Sequence, residues 1–327
     1  MKAYKACGRF WVNNHAHIMS SLICINYLIS CLNITNYKNY VAGTTRLKLT
    51  QADMYKIPVP VPPLSEQKRI VEEIEKIFGQ IEVVKENQEE LNKLKDGLKN
   101  KVLDLAIQGK LVEQDPNDEP ASVLLEKIKI EKAELIKQGK IKKDKQESYI
   151  YKGADNRHYE KIGSEVRDIT DEIPFEIPSS WSWCRLGNII NIKSGDGLTS
   201  NQMHPEGKIP VYGGNGITGY HNKANIHEET IVIGRVGFYC GCVHLTEQTA
   251  WVTDNAFIVT YPEKNILREF LILILTIVNQ NKSDNGTAQP VISGKKIYPV
   301  LVPLPPIQEQ QRIIQKLSKI METIEFL

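Results

Sequence analysis

The chain has 327 residues, of which 41% are hydrophobic, so it is long enough and apolar enough for two or three units with real cores. Its net charge of +2 and pI near 8.1 indicate neither a strongly acidic nor a strongly basic partner. The six cysteines contain no C-x-x-C pair, and Cys240 and Cys242 stand too close for zinc-finger spacing, which predicts free thiols in a reducing compartment.

An apolar stretch near the N-terminus, Ile18 to Leu32, raises the question of a signal peptide or a membrane span. It has no small-x-small cleavage site, and it is too short and too polar to cross a bilayer. We therefore expect a buried helix here, within a soluble cytoplasmic protein that has no membrane partner.

A long helix is predicted over Leu64 to Lys110, with Ser65 as its N-cap and Gly109 just past its end. Apolar residues recur in it at alternating steps of four and three, a repeat that stays aligned only when helices wind around each other. This stripe needs a partner helix, and periodicity alone favours a generic coiled-coil dimerisation segment. The predicted helix-packing residues are Ile70, Ile74, Ile77, Ile81, Val84, Leu91, Leu98, Val102 and Leu105.

Residues 111–172 are predicted to hold a second helix followed by a charged linker. The helix runs from Ala121 to Gln138 and ends at Gly139. From Lys140 to Lys161 lysine, arginine and acidic residues are interleaved, which is more typical of a solvated linker than of a DNA-binding patch.

Residues 173–306 are predicted to be one complete, strand-rich globular domain. Short β-like runs separated by glycine-rich turns occur at Ile189–Ile192, Ile209–Tyr212, Thr230–Ile233 and Ala256–Thr260. A further long helix begins at residue 307 and is cut off at residue 327. The predicted fold class is therefore α+β, a mixed strand-rich domain plus long coiled-coil helices in a tandem domain–helix repeat.

The repeat is visible when the two ends of the chain are compared. Residues 43–78 match residues 286–321 at a constant offset of 243, including a shared P-P-x-x-E-Q-x-R-I signature at Pro62 and Pro305. At an offset of 240, Trp11–Ile18 resembles Trp251–Ile258. A period of this length indicates duplication of a whole domain with its following helix rather than a solenoid. Residues 1–63 then form the C-terminal part of a first domain.

The sequence gives little support for catalysis. Gly214–Gly219 matches G-x-G-x-x-G, but a turn and another strand follow it where a dinucleotide-binding fold requires a helix. The chain has no Asn/Asp-Pro-Pro-aromatic tetrad of base methyltransferases, no phosphate-binding Walker loop and no H-E-x-x-H. We expect Gly213–Gly219 to be a turn whose backbone can approach a ligand closely.

Several motifs together resemble the specificity subunit of type I restriction–modification enzymes, over nearly the whole chain. They are the W-x-W-x-R-L-G opening at Trp181, IPVYGGNGITGY at Ile209, Trp251–Ile258, Gly286–Pro290, Gln108–Ile128, and two proline-rich segments that end at Pro63 and Pro306, which we call the straps.

The resemblance implies a non-catalytic DNA reader. Two target-recognition domains each read one half of a split DNA sequence, and two long helices pack antiparallel between them as a spacer. The helices also dock methyltransferase subunits, and a motor–nuclease subunit joins that assembly. The chain itself needs no cofactor, because S-adenosylmethionine, ATP and magnesium belong to those partners.

DNA contacts are expected from side chains that can read base edges or bind phosphate, placed on loops after strands. The candidates are Lys193, Asn215, Lys223, Arg235, Lys282, Thr287 and Gln289, with Thr287 as a phosphate contact. The alternative for each is a solvated surface side chain. Eleven acidic and ten basic residues over 173–310 give no electrostatic support of their own.

The first recognition domain and the second long helix are shorter than the family pattern implies. The chain is then a truncated product, a half-subunit that dimerises through its long helix and reads a symmetric split site, or a variant that exchanges segments by recombination. A coiled-coil assembly protein that binds methyltransferase subunits without reading DNA is the alternative from another class.

Overall fold

The structure, a computed structural model, describes residues 2–13, 15–43, 47–141, 148–237, 240–280 and 292–327. It divides into two compact units, residues 1–94 and residues 95–327, with the boundary inside the long helix. The mixture of helices and antiparallel sheets confirms the predicted α+β class. None of the helices in the described part of the chain is long and apolar enough to cross a bilayer.

Unit 1 is mostly helical and carries one two-stranded antiparallel sheet, β1 with β2. Its elements are α1 (Ile25–Ile34), β1 (Val41–Ala42), β2 (Lys48–Leu49), α2 (Gln51–Met54) and the first part of α3 (Leu64–Ile107).

The long helix α3 confirms the predicted rod and corrects one of its ends. It ends at Ile107, and Gly109 adopts the left-handed conformation (φ 67°) expected just past a helix terminus, with the Lys110 N–H bonded to the Leu105 carbonyl. At the other end Ser65 is not the N-cap. The helix already begins at Leu64, and the Pro63 carbonyl accepts the first helical hydrogen bonds, from Glu66 and Gln67.

Unit 2 is strand-rich and contains most of the buried residues. Its helices are α4 (Ala121–Lys137), α5 (Leu186–Ile189), α6 (Arg268–Gln280), α7 (Gly294–Ile297) and α8 (Ile307–Phe326). Its strands are β3 (Ser148–Lys152), β4 (His158–Ile162), β5 (Glu165–Asp168), β6 (Ser182–Arg185), β7 (Asn191–Ser194), β8 (Ile209–Gly213), β9 (Gly216–His221), β10 (Ile231–Gly234), β11 (Val243–Leu245), β12 (Trp251–Val252), β13 (Ala256–Thr260) and β14 (Leu301–Leu304).

Two sheets of unit 2 form the body of the predicted strand-rich domain. One is antiparallel in the order β11-β10-β13-β7, and the other has the order β12-β8-β9, in which β12 runs parallel to β8. The helix α6 packs its buried residues, among them Phe270 and Leu271, into the main core together with Ile313 of α8 and Ala106 of α3. The predicted strands at 209, 230 and 256 are confirmed as β8, β10 and β13.

The predicted charged linker is wrong for residues 148–168, which form the three-stranded antiparallel sheet β3-β4-β5. Charged side chains that suggested a solvated linker form hydrogen bonds and ion pairs within the folded unit. Glu160 is 2% exposed and accepts hydrogen bonds from the guanidinium groups of Arg185 (2.9 and 2.7 Å) and Arg167 (3.0 and 2.7 Å). Ile150 packs with Ile169 and Trp183 in a small core beneath the sheet.

Within the described ranges, the repeat is reproduced in the helices but not in the strands. At the offset of 243, α1 begins where α6 begins, α2 coincides with α7, and α3 begins where α8 begins. In unit 1, however, Trp11–Val12 and residues 58–61 form no strand, although their counterparts are β12 and β14. β12 pairs with β8 and β14 pairs with β6, and the described residues of unit 1 contain no counterpart of β6 or β8.

The missing strands explain why the buried helix predicted over 18–32 is only partly confirmed. The helix α1 begins at Ile25, and most of its residues are not buried. In α1 only Tyr27 and Leu32 are buried, whereas Ile34 is 86% exposed. The matching residues of α6, Phe270 and Leu275, are buried within a much larger core that includes residues of β7, β10 and β13.

A glutamine in the shared signature makes the same hydrogen bonds in both repeats. The Gln67 carbonyl accepts from the backbone N–H of Cys24 (2.9 Å), and its amide donates to the Pro62 carbonyl (2.8 Å). Gln310 accepts from the Leu267 N–H (3.0 Å) and donates to the Pro305 carbonyl (3.2 Å). Each pair of partners is separated by 243 positions. We call this arrangement the glutamine clamp, because one buried side chain joins the strap to the start of α1 or α6.

Among the described residues, the glutamate and the arginine of the signature form hydrogen bonds or ion pairs in unit 2 but not in unit 1. Glu309 is fully buried and accepts hydrogen bonds from Trp181 Nε1 (2.9 Å) and from Gln114. Burial raises the pKa of Glu309, and these hydrogen bonds oppose the increase. Arg312 pairs with Asp118. The matching Glu66 and Arg69 of unit 1 are exposed.

We predict that Gln310→Ala destabilises unit 2 by about 2–4 kcal/mol, because it leaves the Leu267 N–H and the Pro305 carbonyl without their buried partner. The measurement is the free energy of unfolding in urea. The neighbouring Gln311→Ala, at an exposed position of the same helix, is the control and should change it by less than about 0.5 kcal/mol. Equal effects of the two substitutions would contradict the clamp.

A second prediction concerns acid stability. Burial alone would raise the pKa of Glu160, but hydrogen bonds from Arg185 and Arg167 outweigh it and lower the pKa from 4.5 to about 2. An acid with a lowered folded-state pKa stabilises the fold above its unfolded-state pKa, and this contribution is lost as the pH falls from about 4.5 toward 2. The unfolding free energy of Glu160→Gln should therefore be well below that of the unsubstituted chain at pH 6.

The two proteins should converge in stability as the pH is lowered through that window, as measured by denaturant unfolding at several pH values. Glu165→Gln, on the exposed strand β5, is the matched control. A stability difference for Glu160→Gln that is the same at pH 6 and at pH 3 would contradict the prediction.

Candidate nucleic-acid interface

Three glycines allow four chain segments to meet at one end of the two main sheets of unit 2. A Cβ atom on Gly195 would collide with the Val252 carbonyl, one on Gly214 with the Val236 carbonyl, and one on Gly234 with the Gly214 carbonyl. Only glycine permits such close backbone approach. We call residues 193–195, 213–215, 234–236 and 253–255 the loop cluster.

The strand pairing explains why these segments meet. β8 and β12 are parallel, so they end side by side at Gly213 and Val252. The end of β10 at Gly234 pairs with the start of β13 at Ala256, and the end of β7 at Ser194 pairs with Phe257. Four strand ends therefore lie at one edge, where loops that follow strands commonly carry binding residues.

Arg235 is held at the centre of the loop cluster. Its backbone N–H donates to the Asn255 carbonyl (2.9 Å), and its own carbonyl accepts from the Ile292 N–H (2.9 Å). The Nη1 atom of its guanidinium donates to the Asp254 carbonyl (3.3 Å) and lies 3.5 Å from Ser194 Oγ. The guanidinium carbon lies 5.5 Å from the centre of the Phe257 ring, which is within cation–π range.

The side chain of Arg235 is half-buried and not fully used by these contacts. Its Nε is buried without a hydrogen-bond partner among the described residues. Within the same residues the only hydrogen bonds of the guanidinium are those of Nη1. The arginine is thus fixed in place with donor groups left over, which is the condition for binding a further acceptor.

Two other predicted DNA-contact residues lie in or beside this cluster. Asn215 is exposed at the tip of the β8–β9 hairpin, between Gly213 and Gly216, and Gly216 has a φ of 83° that favours glycine. Lys193 is exposed on β7, next to Ser194, and it forms no ion pair with any described residue. The structure therefore brings Lys193, Asn215 and Arg235 to the same edge.

The remaining predicted contacts are not brought into the cluster. Lys223 is exposed and follows β9, which ends at His221 opposite Ile209, at the end of the hairpin away from Asn215. Lys282, Thr287 and Gln289 lie outside the described residues.

Sequence reasoning missed the residues that hold the cluster together. Ser194, Asp254 and Asn255 position Arg235, and Asn255 and Asp254 do so through backbone carbonyls, which residue type does not reveal. The resemblance between Trp11–Ile18 and Trp251–Ile258 was the available signal, because it includes this turn. His244 was also missed. Its ring lies against Gly216, and burial lowers its pKa.

The predicted helix-packing residues of α3 differ widely in burial. Val102 is buried, while Ile70, Ile74, Leu91 and Leu105 are half-buried. The other four, Ile77, Ile81, Val84 and Leu98, are 44–66% exposed. Their role in packing stays a prediction, since nothing among the described residues covers the middle of the stripe.

The described part of the chain contains no group of three or more His, Cys, Asp or Glu residues that could hold a metal ion. All six cysteines are free thiols, as predicted. β9 begins at Gly216, inside the Gly214–Gly219 motif, so a strand stands where a dinucleotide-binding turn requires a helix, which agrees with the rejection of such a turn.

Comparison with known proteins identifies the family. The family model described as "Type I restriction modification DNA specificity domain" matches residues 2–93 and 178–327. The chain is 31% identical over 254 residues to the EcoAI specificity subunit of a type I restriction enzyme from Escherichia coli, an alignment that covers 70% of this chain and 40% of that protein. It is 28% identical over 263 residues to the EcoEI specificity subunit from the same organism, covering 71% of this chain and 41% of the relative.

One solved structure supports the fold. A chain from a study of complex assembly and conformational transition in the type I R-M system superposes with a TM-score of 0.51 at 18% identity, covering 92% of this chain and 62% of that one. The matches span about two fifths of the length of the two curated relatives. On the family match, which includes most of both units, the chain belongs to the type I restriction modification DNA specificity domain family.

Proposed function

We propose that the chain is a DNA sequence-recognition subunit of a type I restriction–modification complex, and that unit 2 reads one half of a split DNA target. The observation that carries the proposal is the loop cluster, which brings Lys193, Asn215 and Arg235 to one edge of the sheets, where backbone segments meet in close contact at Gly195, Gly214 and Gly234. Base edges in the major groove are read by donors of this kind held in fixed positions.

Arg235, Asn215 and Lys193 can each make a different kind of contact with DNA. Arginine donates two hydrogen bonds to guanine, and asparagine both donates to and accepts from adenine. Lysine binds phosphate as a point charge and fixes the register of the protein on the duplex. The fixed guanidinium of Arg235 loses little conformational entropy on binding, and this favours selectivity over loose electrostatic attachment.

The family suggests the partners and the absence of catalysis. We infer that the chain itself is non-catalytic and works in the cytoplasm, directing methylation and cleavage by methyltransferase and motor–nuclease subunits. Those subunits would bind S-adenosylmethionine, ATP and magnesium. The long helices would act as spacer and docking site for the methyltransferase subunits. Readers on one face of DNA must be about 34 Å apart, or a multiple of that distance.

One observation favours a second candidate function. The middle of α3 exposes apolar residues of the predicted stripe, including Ile77, Ile81 and Val84. Such a stripe is typical of a helix that packs against another helix. A coiled-coil assembly protein that binds methyltransferase subunits without reading DNA would also need it, as would self-dimerisation through α3.

The first test is selection from a random-sequence duplex library by the purified chain, with and without a methyltransferase subunit, at about physiological salt. We expect enrichment of a base-specific motif. A symmetric split motif would indicate a dimer in which two copies of unit 2 bind DNA. A single half-site would indicate that one copy of unit 2 binds DNA. If no motif is enriched while the methyltransferase subunit still binds, the assembly function replaces the proposed one.

A second prediction concerns Asn215. Asn215→Ala should weaken binding to the selected motif by about tenfold or more and relax the preference at one base position, because a bidentate base contact is worth about 1–3 kcal/mol. Binding to unrelated duplex should hardly change. The measurement is a titration against the motif and against each single-base variant of it.

Asn201→Ala is the matched control, since Asn201 is exposed in the same unit but lies away from the loop cluster, in a single helical turn at residues 200–202. Asn215 does not carry readout if its substitution weakens binding to all duplexes equally, or if it has no more effect than the control.

A further inference from the structure

A β-turn at residues 253–256 forms one part of the loop cluster. The Thr253 carbonyl accepts a hydrogen bond from the Ala256 N–H (3.1 Å), so Asp254 and Asn255 are the two central residues of the turn. The Thr253 hydroxyl also accepts from the Asn255 N–H (3.3 Å), a bond that stabilises such turns. Thr253 is 2% exposed, whereas Asp254 and Asn255 are exposed. The turn therefore has a buried base and a tip that faces solvent.

The backbone of this turn is bonded to the neighbouring segments of the loop cluster. The Asp254 carbonyl accepts hydrogen bonds from Ser194 Oγ and from Arg235 Nη1, both at 3.3 Å. The Asn255 carbonyl accepts from the backbone N–H of Arg235 (2.9 Å). All of these bonds use backbone carbonyls of the turn, so its tip is held directly beside Arg235 without the use of its own side chains.

The two side chains at the tip are free to bind a ligand. Among the residues that the structure describes, the side chains of Asp254 and Asn255 form no hydrogen bond and no ion pair. The Asp254 carboxylate does not pair with Arg235, although the carbonyl of the same residue is bonded to that guanidinium. A carboxylate offers only acceptors, and a carboxamide offers both donors and an acceptor. The tip thus presents two different hydrogen-bonding groups from a fixed backbone.

The same turn recurs in unit 1, at the offset of 240 that relates residues 11–18 to residues 251–258. The Ala16 N–H donates to the Asn13 carbonyl (3.4 Å), and the His15 N–H donates to Asn13 Oδ1 (3.0 Å). Each of these bonds joins the positions that are joined by the corresponding bond in unit 2. The hydrogen bonds that shape the turn are therefore kept in both repeats.

The central residues of the turn differ between the repeats. Asp254 and Asn255 stand where the sequence of unit 1 has Asn14 and His15, while the tryptophan, valine, alanine and isoleucine around them are the same in both repeats. All four central residues have side chains that form hydrogen bonds. One turn can therefore present different polar groups without a change in the bonds that shape it. An element that sets the preference of a domain for its ligand needs this property.

We propose that the tip of the 253–256 turn reads base edges of the DNA target, with Asp254 and Asn255 as specificity-determining residues. A carboxylate accepts a hydrogen bond from the amino group of cytosine, and asparagine both donates to and accepts from adenine. The Asp254 carboxylate also repels phosphate, so it penalises every duplex that offers it no amino group. The inference rests on the proposed function, because that function brings DNA to the loop cluster.

The first test measures how tightly full-length variants bind the selected motif, each single-base variant of it and an unrelated duplex. Asp254→Asn keeps the size of the side chain and removes its charge. It should weaken binding to the motif by about fivefold or more and relax the preference at one base position. It should also strengthen binding to the unrelated duplex by about twofold, because a charge that repels phosphate is lost.

Two further variants make this test specific. Asn255→Ala should relax the preference at a base position next to the one that Asp254→Asn affects. Glu263→Gln is the control, since it makes the same charge change at an exposed residue beyond Thr260, the end of β13 away from the turn. It should leave the base preference unchanged. Equal losses on the motif and on unrelated duplex for Asp254→Asn and Asn255→Ala would show a disturbed turn without readout, and would overturn the inference.

The second test exchanges the tip between the repeats. A chain that carries both Asp254→Asn and Asn255→His has the central residues of the unit 1 turn on the turn of unit 2, and the selection from the duplex library is repeated with it. We expect the new motif to differ from the original at one or two adjacent base positions and to agree with it elsewhere. An unchanged motif would contradict the inference.

The failure of this inference is distinct from the failure of the proposed function. If the unsubstituted chain selects a motif and the substitutions at Asp254 and Asn255 leave that motif unchanged, the proposed function stands and the inference is wrong. If the unsubstituted chain selects no motif, both are wrong, since there is no base preference for the turn to set. Circular dichroism of each variant checks that the fold is intact.

Discussion

One buried glutamine side chain connects the parts of each repeat. In both units its carbonyl oxygen accepts the backbone N–H at the start of α1 or α6, and its amide donates to a carbonyl of the proline strap. Buried backbone groups at a helix start and in a proline-rich strap have few other partners, since helix termini leave N–H groups unpaired and proline has no N–H to form a ladder. The clamp therefore fixes the point at which the strap ends and the long helix begins. In this way it sets the starting residue of α3 in one repeat and of α8 in the other.

Comparing the two repeats also shows which elements depend on nearby sequence and which depend on distant parts of the chain. Helices satisfy their hydrogen bonds within themselves, so α1, α2 and the start of α3 recur at the repeat offset. Strands need partners from elsewhere in the chain. Trp251–Val252 forms a strand because β8 lies beside it, whereas Trp11–Val12, with a similar sequence, forms none.

The candidate interface depends on backbone packing more than on side chains. Gly195, Gly214 and Gly234 let four strand ends come within backbone contact, and carbonyls of Asp254 and Asn255 then orient Arg235. A second surface of unit 2 depends on side-chain interactions instead. In β3-β4-β5 a buried ion pair, Glu160 with Arg185, anchors the inner face, while Tyr149, Tyr151 and Tyr159 lie on the outer face and take no part in the small core beneath the sheet.

Local or repeated sequence signals were enough to predict several elements of this fold. Heptad spacing and Gly109 predicted the long helix to within three residues of its end, and the 243-residue offset predicted the tandem architecture. The predicted turn over Gly213–Gly219 is confirmed only for its first part, since Gly216–Gly219 belong to β9. The motifs indicated the family. Three residues that the structure brings to one edge, Lys193, Asn215 and Arg235, were predicted from residue type and position after strands.

The remaining features could not be predicted, because they depend on contacts between residues far apart in the chain. The charges of residues 148–168 look like those of a linker until Arg185, a residue of another sheet, neutralises Glu160 and lets the sheet pack. Lys223 met the same sequence criteria as Lys193, but strand direction placed it away from the cluster. The burial of Phe270 and the exposure of much of α1 likewise follow from which strands cover each helix, and helix periodicity carries no information on that point.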